Sequence, residues 1–591
     1  YKRDVFMTYK VAIAISGAVS LGSYEAGTMY EIINAIKLHN SQNSDDRQIK
    51  IDVLTGASAG GMTAALVAQK LLYESQALEN PRTNVGYQAW VESVDIDGLL
   101  TPHEGDNPNT SIFSSGFVAS IANKHMLNRY DSAPPKPSRH LASAQTIKLG
   151  LAMSNLNGVD YARNIFEETH HGLQDGKFVE TRHQDRVTME LGPETDVQAT
   201  WQRIATAARC CGAFPFVFSP LSMVRKWAEP DYKGRGAEDF SQRLPGGKFS
   251  FMDGGAFNNY PLGMARELVT TIDKDPLDYS KRFYFYISPH KKVSTMDETF
   301  DASSPGTLMQ HAALKMAGAL FTQARFQDWI MTDKVNKDVA LLDKRAVELV
   351  DYIQDAPDEA VANMAKVAKE LCQAIYALQT PDKIQNGKTD VIEPPQIQGA
   401  QPLEQAITRL TRQYKEDYPD FDNLPAVKKE AWLYSIALLE KAANLGTRDI
   451  MRVYTITAQD KELASEELMS FLGFLDKRYR EYDYLRGRLN AVKVLNHIIR
   501  TKNDPDLGAI HLPLNISELD TTEVQQRLDN LALGDATIGD VKLATRNDLF
   551  ERIKERFYLY TRKMGMNWLL RVSLFNFFVK GKLKGYLQLN R

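Results

Sequence analysis

The stretch that most constrains the chain is Gly56-Ala57-Ser58-Ala59-Gly60 with its two flanks. Residues Ile49 to Thr55 before it read as a short strand, and residues Gly61 to Lys70 after it read as a helix. A strand that turns sharply into a helix through G-x-S-x-G has the form of a nucleophile elbow. The glycines serve a tight turn in which neighbouring backbone comes close. The Ser58 hydroxyl would then stand at a helix N-terminus, where the dipole favours negative charge. The same letters also spell an ordinary strand-to-helix turn capped by serine, so other parts of the chain must decide between the two.

The stretch before it supplies a second feature. Lys10 to Ser16 is an apolar run of strand length, rich in branched residues. The small residues Gly17-Ala18-Val19-Ser20-Leu21-Gly22 follow at once, and a helical pattern runs from about Tyr24 to Leu38. The two strands and their connecting helix form a βαβ unit with an expected right-handed crossover. Both loops then lie at the carboxyl ends of neighbouring parallel strands, the edge where open α/β sheets keep their sites. A small-residue loop at a helix start aims several N–H groups at one spot, so it can hold a phosphate or an oxyanion. The dinucleotide spacing G-x-G-x-x-G is not met.

A third feature lies further on. Lys248 to Met252 reads as a strand ending in Asp253-Gly254-Gly255, with Asn258, Asn259 and Pro261 continuing the loop. An acid at a strand end before two glycines is placed to act as a base, and is equally a common turn. Upstream, Val197 to Cys211 reads as a helix stopped by Gly212-Ala213-Phe214-Pro215. Phe214, Phe216, Val217 and Phe218 then form an apolar loop that either lines an acyl pocket or fills the core. Arg282 to Ser288 is a further buried strand. The polar segments 102–138 and 160–186, the second with His170-His171, look like lid or entry loops.

Past Pro289 helical periodicity takes over: about 308–333, 339–354 and 359–378, a polar linker over 380–402, and more helix to about 445. Residues 452–457 are strand-like and 466–499 helical. At 591 residues, two or more domains are expected: 1–300 as an α/β unit and 301–591 as a mainly helical C-terminal region, with no fixed-period repeat. The net charge of −3 argues against nucleic-acid binding. Three cysteines, two of them adjacent, make no disulfide framework and fit a reducing, cytoplasmic setting. No metal-ligand spacing is present, and no signal peptide or membrane-spanning run is seen. The chain opens on Tyr1, so a leader would not show. From about Arg562 onward the chain is basic and aromatic, without acids. Such a stretch can lie on an anionic membrane surface or dock on the core as a terminal helix, and the second reading is preferred.

The residues at 16–27 (Ser-Gly-Ala-Val-Ser-Leu-Gly-Ser-Tyr-Glu-Ala-Gly), 56–60 (Gly-Ala-Ser-Ala-Gly) and 253–255 (Asp-Gly-Gly) resemble, in order and spacing, the motifs of the patatin-like lipid acyl hydrolases. The stretch Ala205 to Pro220 is similar to that family's segment ahead of the Asp strand. Residues 466–489 are similar to the helical extension of a bacterial subgroup of patatin-related proteins. The resemblance covers roughly residues 10–290. It implies a three-layer α/β/α fold with a mostly parallel central sheet. It also implies a Ser–Asp dyad of Ser58 as nucleophile and Asp253 as base, and an oxyanion hole from the N–H groups of Gly17, Ala18 and Val19. Gly56, Gly60, Gly254 and Gly255 are the motif glycines. The implied substrate is a phospholipid or another acyl ester, with no cofactor and no metal.

The chain departs from the family in the loop. Ala18 and Val19 stand where glycines are usual, and Leu21 stands where Arg or Lys is usual. A β-branched Val19 resists positive φ, so the loop is expected to sit differently, and any phosphate preference credited to the missing cation is in doubt. Two other readings remain open. Ser58, Asp253 and His290 occur in the order of an α/β-hydrolase triad. Alternatively, the helical half is the working part, as a scaffold or homo-oligomer interface, beside a silent hydrolase.

Overall fold

The computed structural model describes residues 8–44, 47–107, 110–132, 136–169, 172–215, 217–258, 261–273, 281–289, 345–346, 348–377, 403–417, 420–442, 452–459, 461–466, 470–501, 512–534 and 537–589. His290, Phe216, Asn259, the His170-His171 pair, the helix expected over 308–333 and the linker over 380–402 lie outside those residues.

The chain opens with β1 (Tyr9–Ile15), α1 (Gly22–Gln42), β2 (Ile49–Gly56) and α2 (Ala59–Tyr73). A short helix, α3 (Ser115–Ala122), precedes β3 (Ser143–Thr169) and β4 (Gly172–Leu191). Then come α4 (Gln198–Cys211), β5 (Leu221–Val224), β6 (Lys248–Asp253), α5 (Leu262–Ile272) and β7 (Arg282–Ser288). The sheet order is β5-β6-β3-β2-β1-β7-β8, where β8 is Val453–Thr457, and β4 pairs along β3. Strands β3, β2, β1, β7 and β8 are mutually parallel, β4 and β6 run antiparallel to β3, and β5 pairs antiparallel with β6. The fold is therefore a mostly parallel central sheet layered by helices.

Alternation along β1 shows why both faces are covered. Val11, Ile13 and Ile15 join a large core with α1, α2 and α4. Ala12 and Ala14 face the other way, with Val53, Tyr284 and Tyr286, against Leu262, Ala265, Leu268 and Val269 of α5. A strand buried on both faces reads as a continuous apolar run, as Lys10 to Ser16 does. At the other end of the sheet Arg282, almost fully buried, pairs with Asp52 and Asp273, and Lys10 reaches Asp273 at 2.8 Å. This ionic cluster is satisfied internally.

One expectation is corrected. The polar segment 160–186 is not a loop: β3 and β4 pair antiparallel from Ile147↔Leu191 to Thr169↔Gly172 as a long hairpin. Much of it runs past the body of the sheet. Strands polar on both faces lack the alternation that marks a half-buried strand, so the sequence reads as loop.

Two features cross the boundary drawn at residue 300. β8 extends the sheet beside β7, and α9 (Lys477–Thr501) packs along α1. Before these come α6 (Asp358–Ala377), α7 (Leu403–Asp417) and α8 (Ala426–Ala442), which share a separate apolar core around Trp432, Ile436 and Leu410. At the α1–α9 crossing a methyl group on Gly27 would overlap the Tyr484 carbonyl oxygen, and one on Gly487 would overlap that of Tyr24. Glycine on each helix lets the two backbones touch. Thr28 Oγ1 donates to the Gly487 carbonyl at 3.2 Å, and Arg488 Nε reaches Glu31 at 2.7 Å in a buried ion pair. The chain ends with α10 (Thr522–Leu531), α11 (Leu543–Lys563), α12 (Trp568–Leu574), a wider π turn over Phe575–Val579 and α13 (Lys580–Tyr586).

Candidate active site

Strand β3 brings the two key residues together. β2 runs parallel to β3 and ends with Gly56 opposite Leu151. β6 runs antiparallel to β3 along the same edge and ends with Asp253 opposite Met153. Two strands therefore meet end to end along one neighbour. Their last residues sit two positions apart, about 7 Å along the strand. The sequence placed both residues at strand ends, but nothing in it told that β6 arrives from the opposite direction.

At this junction Ser58 Oγ donates to Asp253 Oδ2 at 2.5 Å. Both residues are nearly buried, Ser58 6% and Asp253 3% exposed. Asp253 is held from several sides. Its N–H donates to the Ala213 carbonyl at 3.0 Å, its carbonyl accepts from Ser154 Oγ at 2.6 Å, and Oδ1 accepts from the Gly255 N–H at 2.7 Å. Gly254 follows directly, where a side chain would overlap the Ala152 carbonyl.

Ser58 does not behave as a helix cap. It heads α2 but makes no capping hydrogen bond, and its backbone sits at φ 51°, ψ −127°. Positive φ in a non-glycine residue is strained by about 1–3 kcal/mol. Here it aims Oγ away from the helix and at Asp253. A side chain on Gly56 would overlap the Gly60 carbonyl, and one on Gly60 would overlap those of Ile15 and Ser16. The Ala57 N–H donates to the Ile15 carbonyl at 3.1 Å. The elbow is thus pinned against the end of β1, where the small-residue loop begins.

In that loop Gly17 and Ala18 lead to Val19, whose φ is 54°. The β-branched residue has taken the left-handed backbone it was expected to resist. A contact the sequence did not reveal holds it there: Ser20 Oγ donates to the Ser470 carbonyl, and Gly473 packs against Ser20. Leu21, in place of the usual cation, is fully buried in the core.

Ser58 opens onto an apolar cavity of about 100 Å³. Ser58, Met62 and Leu66 line it along one face of α2, a span of about 12 Å. Val19 borders it, Val118 and Ile121 of α3 form another wall, and Phe214 and Phe218 a third. Two of the four aromatic-loop residues are therefore cavity lining. Val217 instead packs on the core. Phe474, from the C-terminal half, closes one side and stacks edge-on with Phe113 at 6.3 Å. It lies within residues 466–489, the stretch likened above to a helical extension, though its place at the cavity was not legible.

Arg209 of α4 is the one charged side chain among the described lining residues. Its Nε has no hydrogen-bond partner and burial lowers its pKa. Among the described residues the cavity lining holds no histidine, and Ser58 and Asp253 touch directly. Glu25 and Cys211 lie buried behind the elbow. Burial pushes the Glu25 carboxyl well above its usual range and the Cys211 thiol up as well. Among the described residues no group of three or more His, Cys, Asp or Glu side chains converges on a metal position.

Residues 13–266 match the family described as patatin-like phospholipase. Over that span the chain is similar to patatin-like phospholipases. The matched span runs from β1 into α5 and holds the loop, the elbow and Asp253. A curated relative, the uncharacterized protein y4iI of Sinorhizobium fredii (strain NBRC 101917 / NGR234), is 27% identical over 344 residues. That alignment covers 46% of this chain and 46% of the relative, so the chain spans about half the length of the curated relative it matches. Among the described residues no helix is long and apolar enough to cross a membrane.

Proposed function

We propose that the chain hydrolyses acyl esters of lipids through a Ser58–Asp253 dyad and an acyl-enzyme. The observation that carries this reading is the direct 2.5 Å hydrogen bond from Ser58 Oγ to Asp253 Oδ2 at the mouth of an apolar cavity. In the first half-reaction Ser58 Oγ attacks the ester carbonyl carbon while its proton passes to Asp253 Oδ2. The carbonyl π pair moves onto oxygen, and the resulting oxyanion faces the N–H groups of Gly17, Ala18 and Val19. The C–O bond to the alcohol then breaks and Asp253 returns the proton to that leaving oxygen. In the second half-reaction Asp253 takes a proton from water, whose oxygen attacks the acyl carbon. Collapse of the intermediate frees the fatty acid and restores the Ser58 hydroxyl.

The apolar walls receive the acyl chain. Arg209, the charged side chain on those walls, donates from Nη2 to the Ser115 carbonyl at 3.5 Å and is attracted by Asp106; it meets the anionic part of the substrate, which favours phospholipids over neutral esters. The missing loop cation is replaced in function by one on α4.

The test is release of fatty acid from phosphatidylglycerol vesicles and from a soluble short-chain ester. Ser58→Ala should lose about 10⁴-fold or more on both, and His290→Ala should keep its activity. Loss of activity in folded His290→Ala, with Ser58→Ala also inactive, would favour the triad. An active Ser58→Ala enzyme would remove the serine mechanism altogether.

A further inference from the structure

The C-terminal helices carry a surface that the hydrolase reading does not use. α12, the π turn and α13 form one nearly continuous helical run from Trp568 to Tyr586. Among its described side chains it is anchored by Phe575, which is 1% exposed and stacks against Phe550, Phe557 and Tyr558 at 5.3–6.1 Å, with Val579 and Leu583 packed beside it. The expectation of a docked terminal helix holds for this one side. Elsewhere the run turns large apolar groups outward. Phe577 is 83% exposed, Leu569 69% and Trp568 65%, and Tyr560 and Met564 at the end of α11 are exposed beside them. Helix α12 contains no buried residue. Isolated exposed apolar residues are ordinary, but a cluster of this kind marks an interaction site.

Charge decides the occupant. Residues 562–591 contain seven Lys or Arg and no Asp or Glu, in a chain whose net charge is −3. A second copy of the chain would set this basic face against its like, at a cost in repulsion. An anionic lipid surface meets both demands: it accepts Trp, Leu and Phe at the headgroup boundary and neutralises the lysines around them. Position agrees with charge. α11 packs against the short helix Ile96–Leu100, whose Leu99 lines the acyl cavity, and Arg552 of α11 donates to the Ile112 carbonyl beside Phe113.

We propose that the face built from the end of α11, α12 and α13 docks the protein on an anionic membrane. The docking rests on the lipid reading only for its purpose, and binding is measured without catalysis. The full-length Ser58→Ala protein is floated with vesicles of phosphatidylcholine alone, and of phosphatidylcholine mixed with phosphatidylglycerol. Binding is expected to the mixed vesicles, to weaken in high salt, and to be weak on phosphatidylcholine alone. The double variant Trp568→Ser/Phe577→Ser should bind about tenfold more weakly or worse. The triple variant Lys580→Glu/Lys582→Glu/Lys584→Glu should lose about 100-fold. In the active enzyme these variants should keep hydrolysis of a soluble short-chain ester and lose hydrolysis of vesicle lipid. Equal binding of all variants, or no preference for the anionic vesicles, overturns the proposal. A concentration-dependent dimer abolished by Trp568→Ser/Phe577→Ser, without vesicle binding, would assign the face to self-association instead. Failure of ester hydrolysis with vesicle binding intact would count against the dyad and leave the docking face standing.

Discussion

Two residues in this site hold backbone conformations that side chains disfavour. Ser58 and Val19 both have φ just above 50°, and they border the same cavity. At Ser58 the strain aims the hydroxyl. At Val19 the side chain supplies only strain, because the proposed work is done by the N–H. Val19→Gly should therefore keep ester hydrolysis within a few-fold and raise stability by about 1 kcal/mol, measured by urea denaturation. A large loss of activity would mean that the isopropyl group shapes the cavity. Arg209 makes a sharper prediction. Arg209→Met keeps a long stem and removes the charge, so phospholipid hydrolysis should fall about tenfold or more while the neutral short-chain ester is spared. The dyad residues were readable as residue types at strand ends. The Arg209 role was not, because an arginine on a helix shows no sign of which wall it faces.

At the scale of elements, the crossing of α1 and α9 links the loop to the C-terminal half. Gly27 and Gly487 allow that crossing, and replacing either by Ala should push the helices apart at about 1–3 kcal/mol or more. The loop that follows β1 leads into α1, so activity should fall with stability. α9 also carries a titratable group. Asp483 accepts a hydrogen bond from the Ala464 N–H at 2.8 Å, and burial raises its pKa to about 7. In the unfolded chain an aspartate loses its proton near pH 4. Between those values the folded state binds more protons than the unfolded, so this group's contribution to stability falls as pH rises from about 4 to about 7. Asp483→Asn should flatten that part of the curve of unfolding free energy against pH, and an unchanged slope would refute the assignment. The strands and helices of the first 290 residues were largely legible, because apolar runs and helical stripes there match burial. The β3–β4 hairpin was not, since strands polar on both faces carry no alternation, and β6's direction was hidden because an apolar strand reads the same either way.

For the whole molecule, the change of sequence character near residue 300 does not divide the work. β8 completes the sheet, Ser470 holds the loop through Ser20, and Phe474 closes the cavity. We propose that the patatin-like part does not function without the C-terminal half. A chain ending at residue 300 should be insoluble, or should unfold well below the full-length protein and hydrolyse no ester; an active, stable truncation would contradict this. The C-terminal contribution escaped the sequence because Val453–Thr457 returns to the side of β7, which ends at Ser288, and no local pattern encodes so distant a pairing. The central claim, that Ser58 is a nucleophile activated by Asp253, is tested most directly by reacting the folded protein with a fluorophosphonate and locating the adduct by peptide mass spectrometry. One adduct on Ser58, absent in Ser58→Ala and strongly slowed in Asp253→Asn, is the predicted result. A folded protein that takes no label, or takes it on another residue, would contradict the account.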